Sequence, residues 1–398
     1  MIDAAVLDWL NLLLRFAHVV TAIAWIGASF YFIWLDLSLQ TPSAEKLERG
    51  LGGELWAIHG GGIYEVGKYT LAPPAMPGTL HWFKWEAYST WLTGTALMIT
   101  YYYFRADTQL HNAQGWLASP AAAVAASIGI LLAGLACYEL LVRAVRPFRE
   151  GALALQMAVL LVLLTAVSWL SFQLFAPRAA ILHVGAMLAT IMAANVFLGI
   201  VPSQKALVGA IERGDAPDAA LAVDAKRRST HNNYLTLPVL FCMLSNHSPF
   251  VFSHPHAWLL VAAIAATAMA ARHFFNAKHT GKLQPAWLVG AFVAFVLIAI
   301  VAGKTAYTVA AVEGTVTSAQ VQPIVSAHCS VCHSEMPTQP GFVAPPGGYL
   351  FRTPADIDAQ AALVATSLAS GYMPLGNLTG MTDAERSLLA SWALRSEQ

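Results

Sequence analysis

The sequence predicts an all-α protein, a polytopic bundle of eight membrane-spanning helices over residues 1–312 followed by a small tethered domain over residues 313–398. Hydrophobic residues make up 57% of the 398 and charged residues only 11%, a balance too apolar for an ordinary soluble chain. Apolar stretches near the length of about 20 residues needed to cross a bilayer recur eight times. Past Glu313-Gly314 the composition turns polar and rich in proline and glycine. The net charge is zero, so the charge balance does not point to a nucleic-acid or polyanionic partner.

In chain order the expected spans are Trp9 to Leu37, Thr79 to Phe104, Pro120 to Val142, Ala152 to Leu174, Arg178 to Val201, Tyr234 to Phe252, His256 to Phe275 and Trp287 to Val312. The first has no small-residue cleavage site behind a short apolar core, so it reads as an uncleaved span. Loops after the odd-numbered spans hold fourteen Lys and Arg residues, among them Lys46, Lys68, Arg143, Arg146, Arg149, Lys226 and Lys282, whereas loops after even-numbered spans hold only Arg105 and Arg178. The excess of positive charge places the odd-numbered loops in the cytoplasm and both termini outside. A weak internal repeat that aligns His18 with His183 suggests two halves of four helices each. His59-Gly60-Gly61-Gly62, in the long first loop, fits either a tight turn or a close backbone approach to a planar ligand.

Cys329-Ser330-Val331-Cys332-His333 is the attachment sequence of a c-type haem. Two thiols at this spacing can form thioethers to one porphyrin, and the histidine that follows is placed to bind its iron. No second C-x-x-C completes a zinc site, and a redox dithiol leaves the histidine unexplained. For the sixth iron ligand the chain offers Met373, on the loop Gly371-Tyr372-Met373-Pro374; Met336 and Met381 are its rivals. One covalent haem c is therefore expected, in a periplasmic or equivalent compartment. Thr382-Asp383-Ala384-Glu385 predicts a capped helix whose Leu388, Leu389 and Trp392 lie against an earlier helix near Val321 to Val325. Cys137 and Cys242, inside apolar runs, read as buried hydrophobes.

Ionisable groups within spans are expensive and therefore functional candidates. His18 and His183, each in the outer half of its helix, could sandwich a haem b between facing helices; alternatively each is a neutral histidine bonded to a neighbour. A second group is expected at the cytoplasmic ends of three spans, comprising His81, Lys84 and Glu86, then His231, Asn232, Asn233 and Tyr234, then Arg272 and His273. Its mixture of cation, carboxylate, amide and imidazole suits a small polar anion with several hydrogen-bonding edges. Snorkelling and helix capping would account for any one of these residues alone. Asn246-His247 at the outer end of span six is a weaker candidate site.

Nearly the whole chain resembles the bacterial integral-membrane urate oxidase family, the cytochrome c-linked urate hydroxylases. The resemblance rests on His59-Gly60-Gly61-Gly62, on Leu80-His81-Trp82-Phe83-Lys84-Trp85-Glu86-Ala87-Tyr88, on Thr236-Leu237-Pro238-Val239-Leu240-Phe241 with Ser245-Asn246-His247, and on Cys329 to His333. It implies oxidation of urate to 5-hydroxyisourate in the bacterial inner membrane, with electrons passed to the attached haem and onward to a respiratory acceptor. The residue types are compatible with urate, a planar monoanion at neutral pH. Lys84 or Arg272 could neutralise it, Asn232 and Asn233 could pair with its amide edges, and Glu86 or His231 could take a proton. A transporter with a redox-sensing cytochrome and a quinol-oxidising cytochrome subunit are the competing readings.

Overall fold

The computed structural model describes residues 4–112, 115–145, 151–305, 312, 314–339, 342 and 344–395. Arg146 and Arg149, counted above in the charge asymmetry, and Glu313, at the expected domain boundary, lie outside the described residues, as does most of the stretch from 306 to 312 that was expected to end the last span.

The membrane part is a bundle of α1 (Ala4–Leu37), α2 (Trp85–Leu97), α3 (Pro120–Ala144), α4 (Ala152–Leu174), α5 (Pro177–Ala194), α6 (Ala219–Ser245), α7 (Ala257–His279) and α8 (Pro285–Thr305). A π-helical turn, Met98–Tyr103, extends α2; another, Asn195–Ile200, joins α5 to the helix Val201–Glu212. Six helical stretches are long and apolar enough to cross a membrane, namely those at Trp9–Leu37, Pro120–Ala144, Ala152–Leu174, Pro177–Glu212, Ala257–His279 and Pro285–Gly303. The other two expected spans differ in build. Residues 79–84 lie outside any helix, which leaves α2 short, and the first half of α6 carries Asp224, Lys226, Arg227 and Arg228 ahead of an apolar half that ends at Ser245 rather than Phe252.

Small residues bring the central helices close. A Cβ at Gly185 of α5 would come 2.7 Å from that of Cys242 on α6, and the buried core there gathers Tyr138, Leu160, Leu164, Met187, Ile191 and Leu235. The outward faces stay apolar: on α8, Phe292, Phe295, Leu297 and Ile300 are exposed. Such a belt is what hydrocarbon solvates in a multi-pass membrane protein.

The all-α expectation fails in the first loop. Leu51–His59 (β1) and Gly62–Tyr69 (β2) form an antiparallel hairpin, with His59 paired to Gly62. Gly60 and Gly61 both have positive φ, 57° and 81°, the requirement of a two-residue turn that matches strand twist, so the glycines serve the turn. Lys46 bonds Glu54 and Glu65 across the sheet, and Lys68 and Lys226 both reach Asp36 at the end of α1. The hairpin, the end of α1 and the start of α6 therefore share one end of the bundle, here called the inner end.

The described residues between 314 and 395 pack around α9 (Ser318–His328), α10 (Ala361–Ala369) and α11 (Asp383–Leu394). The expected capping box forms: the Thr382 hydroxyl accepts from the Glu385 amide at 3.2 Å, and the Glu385 carboxylate accepts from the Thr382 amide at 2.8 Å. Leu389 and Trp392 pack with Val321, Ile324 and Val325 in one core, as their spacing predicts. Tyr372 of this segment meets Phe252 edge to face at 5.8 Å, so the segment sits at the outer end of the bundle, opposite the hairpin.

Gly199, in the π turn after α5, lies so close to Arg228 that a Cβ there would fall 2.3 Å from the arginine Cδ. Gly199→Ala is expected to destabilise the bundle by about 1–3 kcal/mol through overpacking, read as a lower unfolding temperature of the purified protein in detergent.

Candidate functional site

The turn after α9 gathers the haem-type motif. The Cys329 carbonyl accepts from the amides of Cys332 and His333 at 3.1 and 2.8 Å, which puts both thiols and the imidazole on one turn of chain. Cys329 and His333 line a cavity of about 260 Å³; its other walls include Tyr349, Phe351, Leu368, Met373, Met381 and Leu389. Burial pushes the Cys329 thiol up to about 12 and raises that of Cys332. Among the described residues no three His, Cys, Asp or Glu side chains are grouped to hold a metal ion.

These residues fit a covalently held haem. His333 Nδ1 donates to the Tyr349 carbonyl at 3.0 Å, which fixes the tautomer and leaves Nε2 free for iron. The loop that carries Met373 is held by Arg386, whose buried guanidinium donates to the carbonyls of Leu368 and Met373. Met381 lines the same cavity, whereas Met336 is 85% exposed and does not.

A haem between His18 and His183 does not fit. His183 is wholly buried and uses both ring nitrogens: Nδ1 donates to the Ala179 carbonyl at 2.7 Å and Nε2 accepts from the Ser127 hydroxyl at 2.6 Å. Its ring also lies 4.5 Å from that of Phe175. His18 turns to α2, where Nδ1 meets the Thr90 carbonyl and the Thr93 hydroxyl at 3.0 and 3.1 Å. His183 therefore has no imidazole nitrogen to spare for a haem iron.

The polar residues expected at the inner end divide into three. His231 and Asn232 belong to a closed network. His231 Nε2 donates to Gln156 at 2.9 Å and its Nδ1 accepts from the Tyr138 hydroxyl at 2.8 Å. Asn195 donates to Tyr138 and to Asn232, which donates onward to the Met192 carbonyl. Arg228 anchors the network through two bonds to Glu139, at 2.6 and 3.0 Å, with further bonds to Asn195 and Asp224. Both ring nitrogens of His231 and both polar atoms of the Asn232 side-chain amide are thus engaged within the network.

Asn233 and Arg272 form a second group together with Asn276, which sequence reasoning missed. Arg272 Nε and Asn276 Nδ2 both donate to Asn233 Oδ1 at 2.9 Å, and the guanidinium lies 3.9 Å over the ring of Phe30. Beside it the Tyr234 hydroxyl and His273 share a 2.7 Å bond. Lys84, Glu86 and His81 stand at the start of α2: Lys84 lies over Trp85, His81 is exposed against Phe83, and Glu86 has a buried carboxylate oxygen without a hydrogen-bond partner. At the outer end Arg178 bonds Asn246 and Tyr101, and both Arg15 and Arg178 lie over the Tyr101 ring, at 5.4 and 5.6 Å. Glu139, Gln156 and Asn195 were missed as well, although a polar residue in an apolar helix was the signal that marked His183.

A family described as urate oxidase N-terminal matches residues 4–303, which covers the helical bundle and stops short of the segment with Cys329. No curated protein matches the chain, and no solved structure does.

Glu139→Gln is expected to leave Arg228 buried without its principal counter-charge and to destabilise the bundle by on the order of 3 kcal/mol. The unfolding temperature in detergent checks this, and an unchanged value would mean that Asp224 alone suffices.

Proposed function

The chain belongs to the urate oxidase N-terminal family, and on that premise we propose that it is a membrane-bound oxidoreductase that oxidises urate to 5-hydroxyisourate. Haem c, held by Cys329, Cys332 and His333 with Met373 as sixth ligand, would supply a one-electron acceptor that passes electrons to the respiratory chain. The observation that carries the reading is the cavity lined by Cys329, His333 and Met373, in a segment whose Tyr372 touches the bundle at Phe252. The family carries urate and its oxidation, and the cavity carries the destination of the electrons.

The chain's own residues have assignable tasks. His333 is oriented by the Tyr349 carbonyl, and Arg386 holds the Met373 loop in place. The buried, unpartnered oxygen of Glu86 is suited to take a proton as urate loses electrons. The location is the bacterial inner membrane with the C-terminal segment in the periplasm. The concentration of Lys and Arg in the odd-numbered loops supports this, since Lys46, Lys68 and Lys226 stand at the end of the bundle away from Tyr372. In this reading all eight helices α1 to α8 cross the bilayer.

Anaerobic addition of urate to the oxidised protein should reduce haem c, with each urate reducing two protein molecules because the oxidation releases two electrons. An unchanged spectrum would sink the reading in favour of a transporter, and reduction by quinol alone would favour a quinol-oxidising subunit. A pyridine haemochrome assay should give one c-type haem and no b-type band. Met373→Ala should alter the haem spectrum and potential while Met381→Ala should not; the reverse result would move the ligand to Met381.

A further inference from the structure

The bundle buries two arginines at almost the same depth of burial and treats them in opposite ways. Arg228, 7% exposed, has Glu139 on two nitrogens and Asp224 on a third. Arg272, 6% exposed, forms no ion pair among the described residues; its charge meets an amide oxygen and the face of Phe30. A guanidinium taken out of water without a counter-charge is among the most unfavourable arrangements a membrane bundle can contain. Its neighbours are left open in the same way. Arg272 Nη2, Asn233 Nδ2 and Asn276 Oδ1 are all buried and all lack a hydrogen-bond partner. Asn233 is fully buried and Asn276 is 9% exposed.

The three open valences are one charged donor, one neutral donor and one acceptor, on side chains already tied together through Asn233 Oδ1. We infer that Arg272, Asn233 and Asn276 form the seat of the substrate anion, a planar heterocycle that presents carbonyl or deprotonated-nitrogen acceptors beside a ring N–H. Arg272 and Asn233 donate to the acceptors, and Asn276 accepts from the N–H. This deepens the urate reading and rests on it for the identity of the ligand. His231 and Asn232 differ in that each of their side-chain polar atoms already has a partner in the Arg228 network. The seat is also remote from the C-terminal segment: Arg272 lies roughly 22 Å along α7 from Ala257, at about 1.5 Å of rise per residue. Filling the seat and delivering electrons are therefore separately measurable.

The test uses the full haem-loaded chain in detergent, with radiolabelled urate in equilibrium dialysis beside anaerobic reduction of the haem by urate and by dithionite. Arg272→Gln should weaken urate binding about 10- to 100-fold, the worth of a charge-assisted bond in a buried site, and should leave the dithionite-reduced spectrum and the unfolding temperature of the unliganded protein unchanged or raise the latter. Asn276→Asp, which sets a carboxylate against the anion, should weaken binding comparably, and it decides the matter if Arg272→Gln fails to fold. Wild-type affinity in Arg272→Gln, or loss of binding in Arg178→Gln instead, overturns the assignment by moving the seat elsewhere. Arg272-dependent urate binding without haem reduction in the unmodified protein upholds the seat and overturns the oxidase reading.

Discussion

The bidentate bond between Arg228 and Glu139 is the interaction on which the inner half of the bundle depends. Glu139 belongs to α3 and Arg228 to α6, and Asn195, which bonds the same guanidinium, follows α5, so one cation fixes the mutual register of three helices. The polar first half of α6 can enter the bundle because its charge is matched there and because Gly199 leaves room for the arginine stem. The satisfied chain from Arg228 through Asn195 and Tyr138 to His231 and Gln156 then follows, each member using the valence its neighbour leaves. A fully paired network of this kind rigidifies its surroundings, whereas a half-paired one would be a liability. Asn233, one residue beyond Asn232, lies outside that network, and among the described residues its group keeps three buried polar atoms without a partner.

Most of the helical architecture was legible in the chain, because an apolar run of spanning length has few other uses and a Thr-x-x-Glu box has a direct local cause. Leu389 and Trp392 found Val321 and Val325 for the same reason: helical spacing states which side chains share a face. The inner polar group was legible as a set of residues but not as a set of contacts. His231 and Asn233 are two apart on α6, about 200° around the helix axis, so they point to different neighbours, one toward Gln156 of α4 and the other toward Arg272 of α7. Which neighbour stands on which side is a tertiary fact that sequence spacing does not contain. Asn276 escaped notice because it lies four residues past Arg272, at the end of a span where a polar side chain is unremarkable until its partner is known. The hairpin was hidden by its own glycines, which fit a ligand cradle as readily as a turn until the positive φ values choose between them.

The two ends of the bundle differ in chemistry. The inner end concentrates ion pairs, with Asp36, Asp224 and Glu139 each answering at least one cation. At the outer end Arg15 and Arg178 share the face of Tyr101, and the C-terminal segment lays Tyr372 against Phe252. Tyr372 directly precedes Met373 in the cavity wall, so the residue that contacts the bundle and the residue proposed to bind iron are adjacent along the chain.

Only twelve residues separate Thr305 at the end of α8 from Ser318 at the start of α9. A tether of that length keeps the C-terminal segment at an effective concentration on the order of millimolar beside its docking face, whatever the abundance of the protein. A diffusible partner would have to find the bundle by collision, at a rate that falls with dilution. Here each bundle carries its own C-terminal segment, so their encounter is first-order, and their ratio is set by translation rather than by separate expression.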